Sequence, residues 1–272
     1  MTYPTTAASA APAAPEALRE LAEPVGFPRA LLQQIRLLAW SRRWVWFLGG
    51  VVVLLLFVRW GPMPPEIPNI YITQAIMLLA AAVWAAVVWS GESPRRKSYH
   101  WSLPASRAGQ DLARVLAGAL LLVATTALAA ALAGFFEARD GSFDRFAAAS
   151  FETWANFFVG PLVAYLLFTP LMLWNGYRIT GWALAAFGSL AFLAQVLPAA
   201  DEAITTVFFG EPWGLAGALL TGMARYAVRT MGESAPLEPW WPAAALWLAI
   251  AVAFTAFTAL WRPDDLKRAL RG

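Results

Sequence analysis

The sequence predicts an all-α integral membrane protein of six transmembrane helices with both termini in the cytoplasm, and three observations predict it. The chain is 60% hydrophobic and 14% charged, with a mean hydropathy of +0.56, where a soluble globular domain carries roughly 25% charged residues. Six segments approach or exceed the ~20 mostly apolar residues of a membrane-crossing helix. The basic residues between those segments fall mainly on one side of the membrane.

The spans are placed at about 44–60, 71–89, 112–136, 153–174, 179–199 and 240–261. The first is Trp44–Val58, extended past Arg59 by Trp60. Tyr71–Trp89 and Leu112–Phe136 follow, the latter with one charge, Arg114, near its start. Next come Thr153–Trp174, Ile179–Ala199 and Trp240–Trp261, and five of the six end on or beside an aromatic residue. Fifteen Trp and seventeen Phe supply rings for both interfaces. Only Asn175–Arg178 joins the fourth and fifth spans, so these form a tight antiparallel hairpin.

With the N-terminus inside, the inner pieces hold fifteen Lys/Arg and seven Asp/Glu, and the outer pieces hold five and ten. The positive-inside rule counts basic residues, so this asymmetry fixes the orientation and favours an even number of spans. Residues 1–24 are Ala/Pro-rich, with no basic stretch ahead of an apolar core. They read as a disordered cytoplasmic tail, not a secretory signal, and residues 25–272 as the six-span domain.

Two stretches do not span. Phe27–Trp40 puts Leu31, Leu32, Ile35, Leu38 and Ala39 on one helical face, with Arg29, Gln33 and Arg36 off it. That spacing describes an amphipathic helix on the inner membrane surface, leading to Arg42 and Arg43. Between spans five and six, Ala203–Phe209 and Trp213–Tyr226 are too short to cross. They read as short outer helices, either re-entrant or lying on the surface.

The interior of the spans lacks proton carriers. Its polar groups include Thr73, Gln74, Thr125, Thr126, Asn156, Thr169, Ser189, Gln195, Thr255 and Thr258. Such groups most often hydrogen-bond between helices. Thr125, Thr126, Asn156, Thr169 and Gln195 are the candidates for lining a path. Arg59 and Arg114 sit near span ends, where they can snorkel. Proton- or sodium-coupled transport is therefore not expected.

With no Cys and one His, His100, thiolate and multi-imidazole metal sites are excluded. The two lysines, Lys97 and Lys267, follow Arg96 and Leu266, so no phosphate-cradling loop is present. Asp264-Asp265, after Pro263, reads as a solvated helix start. No catalytic, cofactor or metal residue is assigned, and no nucleic-acid partner is expected.

The inner loop between spans two and three, SGESPRRKSYHWSLPASRAGQDLARV, is dense in charge: Glu92, Arg95, Arg96, Lys97, Arg107, Asp111 and Arg114. Leu103-Pro104 interrupts it. Ser106 is then a plausible N-cap for the next helix, with Asp111 in its opening turns. An acidic residue just past the second span, a basic run and Leu103-Pro104-Ala105-Ser106-Arg107 together resemble the permease subunits of type-2 ABC exporters. The likeness of layout extends from Phe27 to the end. Family members often carry Gly-Thr after the acid, where this chain has Ser93-Pro94.

The resemblance implies a permease that works as a dimer, each copy docking a separate ATPase that holds ATP and magnesium. It implies ATPase contact through Glu92, Arg95, Arg96, Lys97, Leu103, Pro104, Ser106 and Arg107, and through the amphipathic helix around Arg36. Dimer packing would use Gly49-Gly50 and the small residues Ala113, Ala117 and Ala124. Two other readings stand beside this one: an accessory subunit of a larger membrane complex, and a membrane enzyme built on His100 and Glu92.

Overall fold

The computed structural model describes residues 26–60, 69–89, 107–141, 143, 151–175, 202–203, 206–207, 214–215, 217–219 and 241–260. Six long helices are placed among them: α1 (Phe27–Ala39), α2 (Arg42–Trp60), α3 (Asn69–Trp89), α4 (Arg107–Arg139), α5 (Phe151–Asn175) and α6 (Trp241–Leu260). The last five are long and apolar enough to cross a membrane, so the chain is an all-α, multi-pass membrane protein. The expected fifth span, 179–199, and the tail 1–24 lie outside the described residues.

Helix α1 breaks from α2 at Ser41. Its Oγ donates to the Leu38 carbonyl at 2.6 Å and accepts the Trp44 amide at 3.2 Å, ending one helix and N-capping the next. Arg42 and Arg43 then occupy the first turn of α2, where the helix dipole disfavours cations. Helix stability alone would not choose that placement.

The apolar stripe expected to face lipid turns partly inward. Leu31, Ile35, Leu38 and Ala39 are half-buried and Ala30 is buried, while Leu32, Arg29, Gln33 and Arg36 are exposed. The covering surface is chiefly α4. At 33 residues, α4 is about 50 Å long, against ~30 Å of hydrocarbon. Its surplus gives α1 a protein surface to pack on. At the far end α4 stops with Gly141 at φ 73°, a left-handed cap that glycine adopts without strain.

Helices α3, α4 and α5 make the centre. Trp84, Met77, Leu122, Phe157, Val163 and Tyr165 are all fully buried there. Helix α2 lies at the rim, exposing Val45, Trp46, Val53, Phe57 and Trp60. A Cβ at Gly49 or Gly50 would meet nothing within 4 Å, so that face is open. Ala113 and Ala117 are fully buried within the chain. They pack internally, which corrects the expectation that they meet a second copy; Ala124 is exposed.

Helices α5 and α6 run in the same direction. Near their starts, Asn156 and Ala243 both approach residues 217–219. Further along, Thr255 of α6 reaches the Leu166 carbonyl of α5 at 2.9 Å. Pro161 and Pro170 interrupt α5, and each removes the amide that would satisfy the carbonyl four residues earlier.

Candidate functional site

Among the described residues, three layers of polar contact join α3 to its neighbours. The first is where α3 ends and α4 begins, the two flanks of the charged loop. Arg114 of α4 stacks on the Trp89 ring at 4.7 Å and donates through Nη2 to the Val88 carbonyl, both partners at the end of α3. A helix C-terminus leaves carbonyls without intrahelical donors and carries negative partial charge, so a guanidinium there is doubly favoured. Arg114 therefore does more than snorkel to the interface. It ties the two flanks of the loop to each other.

The second layer crosses the middle. Trp84 of α3 donates its indole N–H to the Gly118 carbonyl of α4 at 2.9 Å, and its ring lies 4.7 Å from that of Phe47 on α2. From α5, the Tyr165 hydroxyl donates to the Val115 carbonyl at 3.1 Å. Gly118 is required by this approach, because a Cβ there would stand 2.2 Å from the Tyr165 oxygen. Aromatic side chains from two helices, Trp84 of α3 and Tyr165 of α5, thus converge on one turn of α4, and Phe47 of α2 backs Trp84.

The third layer lies where α3, α5 and α6 begin. Gln74 of α3 and Asn156 of α5 are both fully buried and bonded through Gln74 Nε2 and Asn156 Oδ1. Gln74 Nε2 also donates to the Leu219 carbonyl at 3.2 Å, and Asn156 Nδ2 to the Ala218 carbonyl at 2.9 Å. Residues 217–219 are helical, and this turn of helix enters the bundle. Ala218 is fully buried, and a Cβ on Gly160 would lie 3.0 Å from the Leu219 carbonyl. Nearby, at the ends of α2 and α4, Arg59 pairs with Asp140.

Among the candidate path residues, Thr125, Thr126 and Thr169 donate to the carbonyls of Leu121, Leu122 and Tyr165 at 2.8–2.9 Å, each back into its own helix. All three are buried. Asn156 instead holds the 217–219 turn, a role that sequence spacing does not announce. Gln195 lies outside the described residues, as do Glu92, Arg95, Arg96, Lys97, His100, Leu103, Pro104 and Ser106. Arg107 is the first residue of α4, at the position expected after a Ser106 cap. Arg29 and Arg36 are exposed on α1.

No protein-family model, curated protein or solved structure matches the chain.

Proposed function

We propose that this chain is the membrane-spanning permease subunit of an ATP-driven exporter. It sits in the cytoplasmic membrane with six spans and both ends inside, forms the translocation path with a second copy, and is driven by a separate ATPase carrying ATP and magnesium. The observation that carries the reading is the Arg114 tie to Val88 and Trp89. A force applied to the 90–106 loop is delivered to α3 and α4 together, and α4 passes it to α1 and α5, against which it packs. Packed helices move as rigid bodies, so a pull at the loop becomes a change in how the spans sit. The charged side chains of the loop suit docking on a soluble partner through charge-assisted contacts.

Six spans are favoured over five by the parallel run of α5 and α6. A chain that leaves α5 at one face and enters α6 from the other crosses the membrane an odd number of times between them. The apolar segment 179–199 has the length for that crossing. The basic-residue count then puts the Arg114 end of the bundle inside.

An accessory subunit without a path is the second reading. The hydroxyls of Thr125, Thr126 and Thr169 favour it, because they are already satisfied within their own helices. Purification from native membranes separates the two. The exporter reading predicts copurification of an ATPase with a phosphate-binding loop, lost on Glu92→Lys or Arg107→Glu. An ATPase retained in both variants, or absent from the unaltered chain, contradicts it.

A further inference from the structure

The contacts around 217–219 have the character of a reversible closure. Small residues make the fit: Gly217, Ala218 and Gly160, with the ideal Cβ of Gly217 3.4 Å from the Ala243 Cβ on α6. Apolar burial anchors the turn through Ala218 and Leu219, the latter packed against the core, and two side-chain amides hold its carbonyls. The closed arrangement also leaves a cost in place. Gln74 Oε1 is buried and accepts no hydrogen bond among the described residues, and an unsatisfied buried acceptor is unfavourable. Withdrawal of the turn would admit water to that oxygen and to both amides. Closed and open forms then differ by the burial of Ala218 and Leu219 and by hydrogen bonds that water can replace, a small set of contacts that suits a two-state element.

We propose that Gln74 and Asn156 are a latch, holding the 217–219 turn as a stopper that closes the bundle at the face where α3, α5 and α6 begin. Release of the two amides frees the turn and opens that face. Under the orientation above this is the outer face. The latch itself needs neither the exporter reading nor an ATPase, and its test uses neither.

The chain has no cysteine, so introduced thiols report alone. In the full chain in sealed vesicles of both orientations, Gly217→Cys/Ala243→Cys should form a disulfide under mild oxidation, the Cβ spacing being close to the bonded range. Ala218→Cys should resist a membrane-impermeant maleimide. Adding Asn156→Leu or Gln74→Leu should speed its labelling roughly tenfold, the effect of one buried hydrogen bond on a two-state equilibrium, and only from one face. Ala129→Cys, buried in α4, should stay unlabelled in the same backgrounds. Failure of the 217–243 disulfide, or labelling of Ala218→Cys that is equally fast with and without the amides, overturns the latch. Should Asn156→Leu expose Ala129→Cys too, that variant has unfolded, and the disulfide with Gln74→Leu decides.

Discussion

The hydroxyl of Thr255 on α6 donates at 2.9 Å to the carbonyl of Leu166 on α5, the carbonyl that Pro170 leaves without its helical donor. In a membrane interior no water is at hand to satisfy it. One helix thus repairs the break in its neighbour, and the bond sets the rotation of α6 about α5. Thr255→Val should cost about 1–3 kcal/mol of stability by leaving the carbonyl unsatisfied. In Pro170→Ala the helix regains its own donor, so the cost of Thr255→Val should fall sharply. Denaturation of the four proteins of this double-mutant cycle in detergent measures the difference.

Gly118 gives a steric prediction. Gly118→Ala should destabilise the bundle by about 1–3 kcal/mol, the usual cost of overpacking, because its Cβ meets the Tyr165 hydroxyl at 2.2 Å. Tyr165→Phe in the same chain should recover part of the loss. Recovery stays partial because the ring carbon Cζ is still 3.0 Å from that Cβ. Thermal unfolding of the single and double variants reads both steps.

Arg114 is a positioning residue under the exporter reading. Arg114→Met should leave the ATPase bound, since the docking loop is intact, yet lower its stimulation by the permease roughly threefold or more. Arg114→Lys keeps the charge but loses the planar stack on Trp89 and should fall between. Copurified ATPase and ATP turnover, measured on the same sample, separate loss of coupling from loss of assembly.

The Arg59–Asp140 pair is expected to matter little. Both side chains are about one-third exposed, at 31% and 34%, and partly solvated ion pairs contribute about 0–1 kcal/mol. Asp140→Asn should change the unfolding midpoint only slightly, and less at high salt. A large, salt-insensitive effect would mean that the pair is dehydrated by its surroundings.

The limits of the spans could be read from composition because lipid imposes them. Trp60, Trp89 and Trp241 end or begin helices within a residue or two of the expected positions. The start of α4 could not be read that way. Arg107 to Asp111 are too polar for a span, and they are helical because a helix beyond the lipid needs no apolar run, only something to pack on. The inward turn of Leu31, Ile35 and Leu38 follows from that same surplus length. Contacts between spans were the least legible. Nothing local to Thr255 indicates Pro170, and nothing near Gln74 indicates Ala218, because such pairings depend on the rotation and register of separate helices. The charged loop is the reverse case. Its motif is the plainest functional signal in the sequence, and the structure describes only its flanks.

A photo-cross-linker at position 96 reports whether a motor acts on the 90–106 loop. Irradiated in native membranes, it should attach to one soluble ATPase subunit, and the cross-link should weaken when the nucleotide state is changed. Capture of only lipid or membrane-embedded protein at position 96, with the chain folded and in its native complex, would rule out a motor at this loop.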